Sequence, residues 1–348
     1  MFTIVLENQS NDAVAGPSGQ LAMPYLTGLR SRGVTLDSMY GVGHLSLTNY
    51  IAMTSGNAPN SLTQADCLQY NCVYTPPNDT NIGDQLEHAG RSWKAYMESM
   101  PAPCTHPTVS GRLDPYLVGY ATRHNPFVYY QDVVGTDLTA KPARCVNHDV
   151  PYTQLTADLA NKAVPNYSLI VPNTCNDAHD GGPSCGLSAA DTWLKTNLPP
   201  ILASSAYRDN GAVIITFDES NVSDGAGCCG TQPGGGHIFT LVLSPHVTPG
   251  ADSAVPYNHY SLLRTVEEAF ELPCLRHACD AGVEPFGRDV WGQRSNSDDE
   301  RRPVGGTGAR GRGESSRRVP GREEGGGRTR VDHRRAGGGR RSTSHESP

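Results

Sequence analysis

Short apolar runs recur along residues 1–293, and most of them stop at a cluster of polar side chains. Phe2 to Leu6 is an unbroken run of strand length that gives way to Glu7-Asn8-Gln9-Ser10. Val34 to Val42, Ser92 to Met100, Phe127 to Val134, Tyr167 to Val171, Gly211 to Phe217 and Ile238 to Leu243 read as further strands. Helical periodicity falls between them, at Pro24 to Arg32, Leu47 to Ser55, Thr80 to Arg91, Tyr152 to Val164, Leu187 to Ser205 (interrupted at Pro199-Pro200) and Tyr257 to Leu272. Residues 57–80 and 101–126 carry no period and read as loops. Strands that are apolar nearly throughout and alternate with helices predict an α/β fold. Its sheet is mostly parallel and covered by helices on both faces.

In such a sheet the C-terminal strand ends converge on one edge, so residues distant in sequence can meet there. The polar clusters at those ends are Glu7-Asn8, the group His44/Ser46/Asn49, Asn176-Asp177-Ala178-His179-Asp180, and Asp218-Glu219, with His237 and His259 as additions. Ser46 is placed between a strand and a helix that stops at Gly56, beside free backbone N–H groups where an anion settles readily. A hydroxyl nucleophile, several carboxylates and several imidazoles form the inventory for metal-assisted phosphoryl transfer. A cation would lower the serine pKa, Asn49 and the helix N-terminus would hold phosphoryl oxygens, and a histidine would protonate the leaving oxygen. Each piece alone has a plainer reading. Serine is a common N-cap, Glu7-Asn8 could be a turn, and 177–180 could be a loop of Asx-turns. Adjacent carboxylates at Asp218-Glu219 are more telling, because they repel unless a cation or proton is shared. The joint occurrence carries the functional reading.

Composition divides the chain at Arg294. Beyond Trp291 there is no aromatic residue, Gly, Arg and Ser dominate, and 14 of the 28 basic residues fall in 294–348 with 8 of the 35 acidic ones. That segment lacks the apolar area to offset its ordering entropy and reads as a disordered tail or a frame-shifted one. An RNA-binding tail is the lesser alternative. The body keeps 14 basic and 27 acidic residues, which argues against nucleic-acid binding and against electrostatic docking on anionic membranes. No apolar run is long enough for stable membrane insertion.

All ten cysteines lie in the body, several close together as Cys67/Cys72, Cys175/Cys185, Cys274/Cys279 and the adjacent Cys228-Cys229. No CxxC spacing suggests zinc, and the even count favours disulfides in an exported protein. A bridge between adjacent cysteines is sterically awkward, so Cys228 and Cys229 are expected to pair elsewhere. The chain starts directly in a core strand, and the expectation is a truncated start with an export signal lost upstream.

The ordered set Glu7-Asn8-x-Ser10, His44-x-Ser46-x-x-Asn49-Tyr50, Pro172-Asn173-x-x-Asn176-Asp177-x-His179-Asp180-Gly181, Thr216-x-Asp218-Glu219, Leu243-Ser244-Pro245 and His259-Tyr260-Ser261-Leu262-Leu263-Arg264 resembles the phosphoesterase family of secreted acid phosphatases and bacterial phospholipases C. That family lies within the alkaline-phosphatase-like superfamily. The resemblance covers about residues 2–292, ending at Asp289-Val290-Trp291-Gly292. It implies a catalytic domain over 1–293 with Ser46 as nucleophile. Glu7, Asn8, Asp218 and Glu219 would hold a divalent metal ion of open identity or shape the phosphate site. Asn49 would contact phosphoryl oxygens, His179 with Asp177 or Asp180 would contact phosphate or act as acid, and His44 would line the pocket. Leu45 and Thr48 stand where the family often has proline, which predicts a looser turn at Ser46. The expected activity is phosphate-monoester hydrolysis on a phosphorylated small molecule or phospholipid head group. A phospholipase C-type diesterase, a phosphoinositide phosphatase and an inactive phospholigand binder are the rivals. Oligomeric state is left open.

Overall fold

The computed structural model describes residues 1–292 except Pro183; the Gly/Arg/Ser-rich stretch 294–348 lies outside the described residues. Eleven strands are found among them. They are β1 (Phe2–Leu6), β2 (Val34–Leu36), β3 (Met39–Tyr40), β4 (Trp93–Met97), β5 (Asp149–Pro151), β6 (Tyr167–Val171), β7 (Val213–Phe217), β8 (His237–Ile238), β9 (Thr240–Leu243), β10 (Ala251–Ser253) and β11 (Tyr257–Asn258). Eight build one sheet in the order β10-β2-β9-β7-β1-β6-β4-β5. Only β9 runs against its neighbours, pairing antiparallel with both β2 and β7. β1 sits at the centre, in parallel register with β6 (Ile4 beside Ile170) and β7 (Leu6 beside Phe217). Every residue of β1, β6 and β7 is buried, as a sheet covered on both faces by helices requires. The ends of these three adjacent strands are where Glu7, Asp177 and Asp218 emerge.

Several expectations change at the level of elements. The Val34 run breaks at Asp37-Ser38, and its second half joins β8 and β11 in a separate three-stranded sheet. The Ile238 run divides in the same way at Phe239 between the two sheets. Phe127 to Val134 is not a strand. Pro126 opens a 3-10 turn over Pro126–Tyr129, followed by a short helix, Gln131–Val134. A short apolar run is compatible with either state, and the fixed φ of proline favours the helical turn. The Leu187–Ala203 helix runs on through Pro199 and Pro200. The prolines leave the carbonyls of Lys195 and Thr196 without helical donors, and both of those residues are exposed, so water can take their place.

Helix ends are tied to distant elements. Asp191, on the Leu187–Ala203 helix, accepts from the N–H groups of Tyr25 (3.0 Å) and Leu26 (2.8 Å) at the start of the Pro24–Leu29 helix. Asn81 and Asp84 form a reciprocal cap on the Ile82–His88 helix. The ten cysteines pair as Cys67–Cys72, Cys104–Cys145, Cys175–Cys185, Cys228–Cys229 and Cys274–Cys279. The expectation that Cys228 and Cys229 pair elsewhere is therefore corrected. The other eight cysteines are joined to one another, which leaves these two to each other. No helix among the described residues is long and apolar enough to cross a membrane.

Candidate active site

Ser46 is the first residue of the Ser46–Ser55 helix, which Gly56 ends in a left-handed conformation (φ 68°). Its side chain is buried, and Oγ donates to Glu7 Oε2 at 2.8 Å. Tyr50, one helical turn on, donates to the other oxygen, Glu7 Oε1, at 2.6 Å. One carboxylate at the end of β1 thus receives two hydroxyls from one helix face.

The turn before Ser46 is held by Asn49. Its Oδ1 accepts from the N–H groups of Val42 (2.7 Å) and Gly43 (3.2 Å), and its Nδ2 donates to Gly43 O (2.7 Å). Asn49 is wholly buried and its amide is occupied by backbone, which differs from the expected contact with phosphoryl oxygens. The looser turn expected from Leu45 and Thr48 is likewise replaced by a pinned one, with Thr48 Oγ1 donating to Thr63 Oγ1 (3.3 Å). Asn49→Ala is expected to leave three buried backbone groups without partners and to cost about 3 kcal/mol. A thermal melt that matches the wild type would refute this.

The first-turn N–H groups of the helix are also partly taken. Leu47 N–H donates to Asp66 Oδ1 (3.1 Å), and Thr48 N–H turns back to Leu45 O (3.1 Å). Arg123 stands behind Asp66, with Nε 3.7 Å from Asp66 Oδ2, Nη1 donating to Leu117 O (3.0 Å) and Nη2 3.3 Å from His179 Nε2. The expected free anion seat at the helix start is therefore narrower than the sequence implied.

Around Glu7 the strand ends close in. Glu7 N–H donates to Asp177 O (2.7 Å), and Asn8 N–H donates to Asp218 Oδ1 (3.0 Å). Asn8 has φ 57°, a left-handed conformation that asparagine tolerates. His124 lies between two carboxylates, Nε2 3.4 Å from Glu7 Oε2 and Nδ1 3.3 Å from Asp177 Oδ2, with its ring stacked on Tyr50. Beneath Asp218, His259 Nε2 contacts its carbonyl oxygen at 2.5 Å. His179 receives backbone anchoring through its N–H to Asp177 Oδ1 (2.8 Å). Its Nδ1 lies 3.1 Å from Asp180 Oδ1, and Thr174 Oγ1 donates to Asp180 Oδ2 (2.6 Å). Glu219 turns away from this group and pairs with His44, whose Nε2 is 3.0 Å from Asp224 O. His237 faces Asp37 O (2.8 Å), away from the cluster.

Burial dominates the electrostatics. It raises Glu7 well above the usual carboxylate range, reinforced by the charges of Asp218 and Asp177. It raises Asp177 likewise, and moves Asp218 up to about 6 against the Asn8 hydrogen bond. Burial, with Arg123 and His179 nearby, lowers His124 well below the ordinary imidazole value. The hydrogen bond to Glu219 raises His44.

These residues fit a divalent cation. Glu7, His124 and Asp177 each offer a ligand atom, all within 4.8 Å of one another. His124 Nε2, Asp177 Oδ2 and Asp218 Oδ2 are buried without hydrogen-bond partners. A cation would reverse the upward shifts of the carboxylates and reinforce the lowered His124, because it favours anionic carboxylates and neutral imidazole. Of the expected set, Glu7 belongs to the trio, and Asp218 is coupled to it through charge. Asn8 contributes its backbone to Asp218, and Glu219 is engaged by His44.

The Phosphoesterase family profile matches residues 5–273. The chain belongs to the Phosphoesterase family. Among curated relatives it is 29% identical over 286 residues to a probable acid phosphatase of Kluyveromyces lactis, covering 81% of this chain and 61% of that protein. An acid phosphatase of Aspergillus fumigatus is 28% identical, covering 73% and 52%. A phosphatidylinositol-3-phosphatase of Mycobacterium tuberculosis is 27% identical, covering 83% and 81%. The chain thus spans just over half the length of the two fungal relatives. A solved protein of the alkaline phosphatase superfamily from Vibrio parahaemolyticus shares the fold, with TM-score 0.51, 16% identity and coverage of 83% and 71%.

His124 and Arg123, which the fold brings to the Glu7–Asp177 cluster and to His179, escaped sequence reasoning because 101–126 shows no period. A basic pair, Arg123-His124, one residue before the apolar run opened by Pro126, was the available signal in a body short of basic residues.

Proposed function

We propose that this chain hydrolyses phosphate monoesters through a phosphoserine at Ser46. The observation that carries the reading is the Ser46 Oγ to Glu7 Oε2 hydrogen bond at 2.8 Å, set inside a buried group of carboxylates and histidine with orphaned atoms. Ser46 Oγ attacks phosphorus, and its proton passes to Glu7. The bond from phosphorus to the ester oxygen breaks, and that oxygen takes a proton from His179, which Asp180 orients, or from the His44–Glu219 pair. Water then attacks phosphorus and returns a proton to the histidine that protonated the ester oxygen, the phosphorus–Oγ bond breaks, Ser46 Oγ recovers its proton from Glu7, and inorganic phosphate leaves. Glu7, His124 and Asp177, with Asp218 alongside, would hold the divalent cation. When bound it neutralises charge on the phosphoryl group and favours the serine alkoxide. Asn49 positions Ser46 by fixing the turn before it. Arg123 ties Asp66 to His179 and so sets the position of both.

The names of the fungal and mycobacterial relatives support a monoester substrate, and the mycobacterial one supports a phosphoinositide head group as its class. Five disulfides support function outside the reducing cytoplasm. The decisive experiment mixes the chain with p-nitrophenyl phosphate, quenches in acid and maps phosphate by mass spectrometry. Phosphate on Ser46 is the expected result. Turnover with phosphate on another residue, or phosphate-ester binding without turnover in every divalent ion tried, would overturn the mechanism.

A further inference from the structure

The large apolar side chains that stand exposed are not scattered. Nine are found among the described residues, and seven of them lie on loops joined to the catalytic edge. Leu45 (37% exposed) directly precedes Ser46. Leu62 precedes Thr63, which bonds Thr48. Leu68, through its carbonyl, accepts from Asp114 N–H (2.8 Å), and Gln69 O accepts from Gly111 N–H (2.8 Å), so the 57–73 loop and the 107–118 loop are laid side by side. The second loop carries Val109, Leu113 (67% exposed) and Val118 (79% exposed) at its surface. Its far end is stitched to the His179 loop by the Gly119–Thr174 backbone and side-chain bonds (3.0 Å each). On the other side, Val222 (73% exposed) lies on the loop whose Asp224 carbonyl meets His44.

Charge is distributed to match. In a body with 27 carboxylates, the 57–73 and 107–118 loops together hold two, Asp66 and Asp114. Asp114 is buried, and Asp66 is turned inward to Leu47 and Arg123. The charged side chain these loops leave exposed is Arg112. Apolar tips, a basic residue and withdrawn carboxylates are what a phospholipid surface accepts, and separate apolar tips around an opening can each enter the interface. The site reaches solvent through His179 and His44, whose side chains are partly exposed while Ser46 is buried, and each is bonded to a residue of or beside these loops, Arg123 and Asp224. An ester group bearing acyl chains would meet the rim directly.

We propose that this rim docks the catalytic mouth on a phospholipid surface, so that the substrate is a phosphorylated head group still embedded in it. The inference rests on the phosphomonoesterase reading for the substrate, and on the rim alone for the docking. The full chain is incubated with uncharged phosphatidylcholine vesicles, which give the Arg-rich 294–348 segment no anionic target, and co-sedimented. The comparison is a triple variant, Leu68→Ser, Leu113→Ser and Val118→Ser, none of which belongs to the site. We expect wild type to pellet with the vesicles and the variant to partition at least about tenfold less, since three apolar side chains no longer leave water. Its kcat/KM on p-nitrophenyl phosphate should be unchanged, which also shows that it is folded. Wild type left in the supernatant, or a variant that pellets equally, overturns the proposal. So does sedimentation velocity showing a dimer that the same substitutions dissolve, since the rim would then cover a second copy. Absence of p-nitrophenyl phosphate turnover in wild type strikes the phosphatase reading alone and leaves the vesicle result standing.

Discussion

Ser46→Ala is expected to abolish phosphate-ester turnover, lowering kcat by at least about 1000-fold, while the protein stays folded. The substitution removes one hydroxyl that donates to Glu7 Oε2, and Tyr50 still donates to Oε1, so Glu7 keeps a partner. Alanine is tolerated at the first position of a helix. Divalent-ion affinity should change little, because His124, Asp177 and Glu7 all remain. Loss of turnover with preserved ion binding, measured by titration calorimetry, separates a nucleophile from a residue that merely supports the cluster. If Ser46→Ala keeps more than about a tenth of the activity, which is under 1.4 kcal/mol of barrier, the phosphoserine route is wrong. Should activity and ion binding vanish together, Ser46 would instead be acting through Glu7. Tyr50→Phe provides the contrast, because it removes the other hydroxyl from the same carboxylate without touching the attacking atom.

The parts of this site legible in the sequence are those carried by strand ends. Glu7 and Asp218 follow runs too apolar to be anything but buried elements, and Leu6 pairing with Phe217 brings them together. Asp177 lies farther from its strand, but the turn after Val171 returns its carbonyl to Glu7 N–H. His124 could not be read this way. It reaches Glu7 from a 3-10 turn, Thr122–His124, whose position depends on long-range contacts such as Asn125 Nδ2 donating to Asp149 Oδ1 at 2.9 Å. No local periodicity encodes such a placement. Asn49 is the opposite case. It adjoins Ser46, but a side-chain amide has both donors and acceptors, and the N–H groups of Val42 and Gly43 take its oxygen. Glu219 shows that adjacency in sequence does not decide ligation. Successive residues leaving a strand point to opposite sides, so Asp218 faces Glu7 while Glu219 meets His44.

Stripped of divalent ions with a chelator, the protein is expected to lose stability as pH rises from 6.5 to 8 and to regain it on adding a divalent ion. The sign follows from which state binds more protons. Glu219, raised in the folded state to about 8, holds through this window a proton that the unfolded chain has released, whereas Asp218 (about 6) has given up most of its own by pH 6.5. Their burial therefore lowers stability progressively above the unfolded carboxylate range, until the folded value is passed. His44, raised by Glu219, acts in the same direction: its stabilising contribution is full below 6.5 and is lost as pH climbs through its folded value. The lowered imidazoles, His124 and His259 (about 4), act oppositely, but only below about 6.5, where the unfolded imidazole still takes up a proton. Above that pH their opposing share fades, amounting to roughly 0.4 kcal/mol for each over the window, less than the fall set by the raised groups. Each pH unit over which one extra proton is held corresponds to about 1.4 kcal/mol. A midpoint lower by roughly 3–5 °C at pH 8 than at 6.5 is therefore expected in chelator. Other buried groups, Asp149 (about 7), bonded to Asn125 beside His124, and Glu267 (about 8), add to the fall in chelator but are not members of the Glu7–His124–Asp177 trio. The divalent ion isolates the site's share. It binds the deprotonated carboxylates and neutral His124, so its stabilising effect should be larger at pH 8 than at pH 6.5. In Asp177→Asn that ion-dependent gain should shrink at both pH values, while the fall caused by Asp149 and Glu267 persists. An ion effect that is absent, or greater at pH 6.5 than at pH 8, would remove the cation from this cluster and with it the assignment of Glu7, His124 and Asp177 as its holders.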